Sequence, residues 1–192
     1  MDIAVAYDAA RDRVVLFGGN GMNAARLTDT WEWDGMRWER RAIDGPSYVT
    51  SMAHDATRRA VVALTLSAQD GSPATGMAVW NGEEWKPIAA PSVPPVAPLE
   101  PLLTATPPNA LIAYRSNYHT GTAAAWLWDG GRWTSDSTAG PGKLLAYSAA
   151  FDSRRGRLVL FGGLLPGEKA TAALWEWSAS GWTNAARHEG SP

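Results

Sequence analysis

Residues 28–38 read Thr28-Asp29-Thr30-Trp31-Glu32-Trp33-Asp34-Gly35-Met36-Arg37-Trp38. The alternation places Trp31 and Trp33 on one face of a strand and Glu32 on the other. Asp34-Gly35 then reads as a tight turn, because both residue types tolerate positive φ, and Arg37-Trp38-Glu39-Arg40 as the returning strand. The same pattern recurs along the chain. Trp33, Trp80, Trp128 and Trp177 follow one another at intervals of 47, 48 and 49 residues. Trp38, Trp85, Trp133 and Trp182 stand five residues after them, and Trp31, Trp126 and Trp175 two before, with Ala78 in that place in the second copy. These three phases account for all 11 tryptophans. The turn repeats as Asn81-Gly82 and Asp129-Gly130 and weakens to Ser178-Ala179-Ser180-Gly181. Self-similarity at such a period marks an array of supersecondary units.

Working outward, each copy holds two further strand-like segments. In the first copy these are Ala4-Val5-Ala6-Tyr7-Asp8 and the β-branched run Arg13-Val14-Val15-Leu16-Phe17, which stops at Gly18-Gly19. The fourth copy repeats them as Ala149-Ala150-Phe151-Asp152 and Arg157-Leu158-Val159-Leu160-Phe161-Gly162-Gly163. Four short antiparallel strands per copy, with no helical periodicity, predict an all-β fold: a small β-propeller of four four-stranded antiparallel blades. Residues 1–192 form one domain on this reading, with blades at approximately 1–46, 47–95, 96–142 and 143–192.

Val-Leu-Phe-Gly-Gly followed by an aromatic strand and a tryptophan five residues on resembles the kelch repeat. The Trp-Glu-Trp-Asp-Gly variant is similar to bacterial kelch proteins of the galactose oxidase central-domain type. The resemblance spans residues 4–183 and is specific in copies one and four. Copies two (Val61-Val62-Ala63-Leu64-Thr65-Leu66) and three (Ala110-Leu111-Ile112-Ala113-Tyr114) lack the glycine pair, and copy three lacks the acid supplied elsewhere by Asp8, Asp55 and Asp152. Both are expected to be less regular. In galactose oxidase the resemblance implies a copper radical site with a tyrosine–cysteine crosslink. The chain contains 0 cysteines, so no residue of that site carries over, and neither a cofactor nor a metal is expected.

The 192 residues carry a formal net charge of −2 and 45% hydrophobic residues, an ordinary globular composition. No basic stripe is present to neutralise phosphates, so no nucleic-acid partner is expected. No apolar run approaches the ~18 residues that span a bilayer, and no membrane association is expected. The first residues lack a signal-peptide pattern; the chain as it stands reads as cytoplasmic, and as exported if it is a fragment of a longer protein.

Four copies leave little sequence over. The favoured reading is a four-blade ring closed by side-chain packing, and hence a monomer. Its rivals are part of a larger ring, or open edges that pair between chains, since unpaired edges invite association. Residues 87–108 hold eight of the 13 prolines and read as a stiff crossover between blades. The PxxP spacing there also suits a proline-binding domain.

Functional residues are less legible. His54, His119 and His188 occupy three different phases, which does not make a ring of ligands. The in-phase acids Asp8, Asp55 and Asp152, each followed by an arginine, read as turn caps with surface ion pairs worth under about 1 kcal/mol. A cation-binding ring on the axis is the sharper alternative. Glu32 and Glu176 share a phase opposite the tryptophan face, with nothing to mark either as a catalytic acid.

The loops between second and third strands vary most among copies, and rigid scaffolds place function on such loops. Their polar members, Asn20, Asn23, Arg26, Gln69, Asp70, Arg115, Asn117, Tyr118, His119, Glu168 and Lys169, are the candidate binding residues. The expected function is a non-enzymatic binding or interaction module whose ligand is a protein or carbohydrate. The alternatives are a small sugar-directed hydrolase, lyase or epimerase with an axial site, or a fragment of a larger propeller. The tryptophans, locked in phase, are expected to fill the space between blades rather than to stack on sugar.

Overall fold

The computed structural model describes residues 3–22, 25–68, 73–89, 102–106, 110–116, 120–121, 123–136, 140–167, 169–178 and 180–185, with backbone alone at 67–68, 73–75, 102–106, 110 and 115. The fold is all-β, a four-bladed β-propeller, with no helix among the described residues. Blade one is β1 (Ile3–Asp8), β2 (Arg13–Gly18), β3 (Thr30–Trp33) and β4 (Trp38–Ala42), hydrogen-bonded in that order. Blade two is β5 (Val49–Asp55), β6 (Ala60–Ala68), β7 (Pro73–Trp80) and β8 (Trp85–Ile88). Blade three is β9 (Leu102–Thr106), β10 (Ala110–Ser116), β11 (Ala123–Trp128) and β12 (Trp133–Asp136). Blade four runs β13 (Ser148–Asp152), β14 (Arg157–Phe161), β17 (Leu174–Ser178) and β18 (Gly181–Ala185). A two-stranded ribbon, β15 (Leu164–Leu165) with β16 (Lys169–Ala170), stands inside its second loop.

The glycine pair decides where the second strand stops. Gly18 and Gly19 take φ of 76° and 116°, and Gly162 and Gly163 take 70° and 106°, a backbone that ends extended pairing and that L side chains resist. Copy two lacks the pair, and β6 runs on for nine residues to Ala68. The departure expected there is thus a longer hairpin. At the third–fourth turns only the glycines have positive φ: Gly35 (96°), Gly82 (101°) and Gly130 (100°). The preceding acid or amide acts through its side chain instead. Asp34 Oδ1 accepts the N–H groups of Met36 and Arg37, both at 2.8 Å; Asn81 and Asp129 accept the equivalent pairs. These are Asx turns. In copy four Ser178 Oγ accepts one N–H at a longer 3.4 Å.

Blades pack face to face in series. Ala4, Ala6, Val15 and Phe17 of blade one meet Val49, Met52, Val61, Ala63 and Trp80 of blade two. Val62, Leu64 and Met77 of blade two meet Leu111, Ala113, Trp128 and Trp133 of blade three. Ile112, Tyr114 and Ala125 of blade three meet Leu158, Leu160 and Trp177 of blade four. Among the described residues no such core joins blade four to blade one, so the packing that would close a ring of four is not seen. The proline-rich crossover lies mostly outside the described residues.

Trp128 is 0% exposed, while Trp38, in phase with Trp133 but on the open side of blade one, is 45% exposed. Trp128→Ala is therefore expected to cost ~3–5 kcal/mol of unfolding free energy, as large aromatic truncations in cores do. Trp38→Ala, which loses chiefly its contact with Trp33, is expected to cost about 1 kcal/mol or less. Urea unfolding followed by circular dichroism distinguishes the two; equal costs would mean that Trp38 is covered in solution.

Candidate functional site

The two sides of the propeller differ in chemistry. One carries the short first–second and third–fourth turns; the other carries the second–third loops and the blade-to-blade crossovers. On the short-turn side every in-phase acid is engaged by its own blade. Asp8 Oδ1 accepts the N–H of Ala10 at 3.1 Å and Oδ2 pairs with Arg11 Nε at 2.7 Å. Asp55 repeats this with Thr57 and Arg58, and Asp152 with Arg154 and Arg155. Turn capping is thus present, but Asp8 and Asp55 are buried, so these pairs are not the surface ion pairs the sequence suggested. Burial removes water's screening and leaves each carboxylate dependent on its arginine. Asp152 stays partly exposed, on a face that no blade covers.

From these caps the arginines reach toward the next blade. Arg11 Nη1 binds Glu32 Oε1 at 2.6 Å, and a Cβ at Gly82 would lie only 2.6 Å from it. Arg58 Nη2 donates to the Gly130 carbonyl at 2.6 Å. Glu32 also accepts Trp80 Nε1 at 2.7 Å across the seam. His54, at the phase of Tyr7, is packed in this seam with Nδ1 3.2 Å from Asp8 Oδ1. Glu32 and its partners form a structural network, a role with no signal in the sequence beyond the shared phase of Glu32 and Glu176. Among the described residues no group of three His, Cys, Asp or Glu side chains could hold a metal ion.

On the loop side, Asn23, Gln69, Asp70, Asn117, Tyr118, His119 and Glu168 lie outside the described residues, and Arg115 is described by its backbone alone in β10. Asn20, Arg26 and Lys169 are placed, and all three are exposed. Asn20 pairs with Arg26 in an antiparallel bridge, closed by Gly21 N–H to the Ala25 carbonyl at 2.8 Å, so the blade-one loop is a small hairpin. The Arg26 guanidinium lies over the Tyr48 ring at 4.1 Å, a cation–π contact. It ties that loop to the crossover between blades one and two. Tyr48 had no signal in the sequence, since it belongs to no repeat phase. Lys169 projects from the β15–β16 ribbon of blade four. These three residues come from the first and last blades and are not shown in contact.

Two clefts lie on blade one. One of about 220 Å³ is lined by Arg11, Arg13, Glu32, Asp34, Arg37, Glu39 and Arg41 on the short-turn side. The other, of about 340 Å³, is lined by Arg40, Arg41, Ala42, Ile43 and Asp44 at the outer strand. Both are rich in arginine, and the second is peripheral.

Comparison with protein families and with curated sequences finds no match. Among solved structures, the chain is similar to YjhT at 13% identity and a TM-score of 0.66, over 99% of this chain and 66% of that one. It is also similar to the acylaminoacyl peptidase of Pyrococcus horikoshii at 12% identity and a TM-score of 0.50, over 93% of this chain and 26% of that one. At these identities the likeness concerns the fold. The chain spans just under two thirds of the length of YjhT.

Arginine hydrogen bonds hold Asp152 and Glu176 below the ordinary carboxylate range: Arg155 for Asp152, Arg157 and then Arg155 for Glu176. Backbone N–H groups do the same for Asp34 and Asp129. A carboxylate with a lowered native pKa contributes stability above its unfolded pKa and loses it as pH falls through the native value. The melting temperature is therefore expected to be level through neutral pH and to fall below about pH 4. Asp152→Asn is expected to flatten part of that decline. A melting temperature that drops already between pH 7 and 5 would contradict this assignment.

Proposed function

We infer that the chain is a non-enzymatic binding module of kelch type, presenting the loop side of its propeller to a protein or carbohydrate ligand. The observation that carries this reading is the asymmetry of the two sides. Asx and Asp–Arg caps engage the in-phase acids and the turn Asp and Asn side chains of the short-turn side. The opposite side bears ribbons of differing length, with Asn20, Arg26 and Lys169 exposed. Rigid strands under variable polar loops are a common arrangement for recognition. Arg26 is partly preorganised by its stacking on Tyr48, which lowers the entropy lost on binding. The kelch assignment rests on the Phe-Gly-Gly and Trp-Glu-Trp motifs of blades one and four, with residues 1–192 as one domain.

A random-peptide display library and a glycan array, both probed with the whole chain, test this reading. Selected binders are expected to lose about tenfold or more in affinity to the double variant Arg26→Ala/Lys169→Ala, equivalent to 1.4 kcal/mol. They are expected to bind normally to Asp34→Ala/Asp129→Ala, which alters the short-turn side. Binders that respond only to the second variant, or the absence of any binder from both libraries, would overturn the loop-side reading.

A further inference from the structure

Blades one and four match in sequence register at an offset of 144 residues, and among the described residues both end faces of the array bear exposed apolar side chains. The covered face of blade one presents Ala4, Ala6, Asp8, Val15, Phe17 and Glu32 to blade two. Adding 144 gives Ser148, Ala150, Asp152, Val159, Phe161 and Glu176 on blade four. The reaching arginine has its counterpart too, Arg11 becoming Arg155. Among the described residues no blade sits on that face: Phe161 is 54% exposed, and Glu176 is held by Arg155 and Arg157 of its own blade.

The other open face belongs to blade one. Its residues Val5, Tyr7, Val14, Leu16, Trp33 and Trp38 are the counterparts, 47 residues earlier, of Met52, His54, Val61, Ala63, Trp80 and Trp85. Those six are what blade two lays against blade one. On blade one Val5, Tyr7 and Trp38 are exposed, at 49%, 54% and 45%, and Val14, Leu16 and Trp33 are half-buried. Gly35, counterpart of Gly82, has open space where a Cβ would stand. The chain therefore carries both halves of its own blade-to-blade contact, one at each end.

We propose that these two faces form one interface between copies: blade four of one chain seats against blade one of a second, head to tail. The contact between blades one and two supplies the pairing. Glu176 accepts Nε1 of Trp33 from the second copy, as Glu32 accepts that of Trp80 at 2.7 Å. Phe161 meets that copy's Trp38 edge-on, as Phe17 meets Trp85 at 5.6 Å and 82°. Arg155 reaches Gly35 as Arg11 reaches Gly82. A second copy is favoured as occupant because it brings the matching acceptor, indole, phenyl ring and turn glycine without any new chemistry. A heterologous contact of this kind closes a ring when the rotation permits and extends a filament otherwise. Two chains give eight blades, the upper end of common propeller sizes. The inference rests on the fold and is independent of the loop-side binding proposed above.

Light scattering across a concentration series tests it on the whole chain. The mass is expected to rise from 20.6 kDa to twice that value or beyond. Val5→Asp and Phe161→Asp each spoil one face at a half-exposed position and are each expected to be monomeric, with circular dichroism confirming that both remain folded. Mixed in equal amounts they retain one intact pair of faces, Val5 of one variant and Phe161 of the other, and are expected to form a heterodimer. A monomeric wild-type chain at every concentration would overturn the proposal. So would a dimer that either variant leaves intact, or a mixture that stays monomeric, which would indicate a symmetric contact through like faces.

Discussion

The structure depends on one repeated contact: the indoles of the third and fourth strands of a blade pack against the preceding blade, where Trp80, Trp85 and Trp133 aim their N–H into its third strand. Trp80 reaches Glu32 and Trp85 reaches Thr30 Oγ1 at 2.8 Å. One blade later Trp133 reaches Met77 Sδ at 3.1 Å, in the place of Thr30. Substitution in the preceding blade explains the exceptions. Trp128 faces a blade with Val79 where Glu32 stands, and Trp182 one with Ala125 where Thr30 stands; both ring nitrogens are buried without a partner. Trp177 finds Asp136 at 2.8 Å instead. A buried unpaired N–H costs ~1–3 kcal/mol, which the area buried by an indole can offset. Apolar packing holds the blades together, and the polar pairs fix which face meets which.

The same contact explains why the short-turn side is chemically quiet. Arg11 and Arg58 must be held at an angle that reaches the turn glycine of the next blade, and a carboxylate that caps the turn and binds the guanidinium does both. Burying Asp8 beside Arg11 is tolerable because both oxygens are occupied. A set of acids committed in this way is not available to a cation or a substrate, so the variation compatible with the fold falls on the opposite side.

Much of this was legible in the residues. The tryptophan phases gave four blades and their strands because an aromatic at fixed register has only the inter-blade gap to fill. The Phe-Gly-Gly motif located the ends of β2 and β14. What was not legible follows from contacts between copies of the repeat rather than within one. Glu32 could be placed opposite the tryptophans but not given a partner, because alternation names faces without saying that both faces of a blade are covered. The acid of the Asp-Gly turns looked like a positive-φ residue and proved to be a side-chain cap. The cation–π pair of Arg26 with Tyr48 joins a loop to a crossover, and neither element repeats. Of the candidate binding residues, the side chains of Asn20, Arg26 and Lys169 alone are placed, the first two on the blade-one loop and the third on that of blade four.

The distribution of polar pairs along the array carries the last step. Of the three seams within the chain the first keeps the Glu32–Trp80 pair, while at the second and third the acceptor positions have become Val79 and Leu127 and apolar packing compensates. At the two ends the full set stands: Asp152, Arg155, Arg157 and Glu176 on one face, and Trp33, Gly35 and Trp38 on the other. Polar groups at a seam contribute little net stability but penalise mismatched partners, whose charges would be left desolvated and unpaired. Such selectivity is not required where covalent connection already fixes the neighbour, although the seam between blades one and two carries it. It is useful where the neighbour arrives by diffusion, and there Glu176 would reject any face that lacks an indole N–H, and Arg155 any face whose turn lacks the space that a glycine leaves.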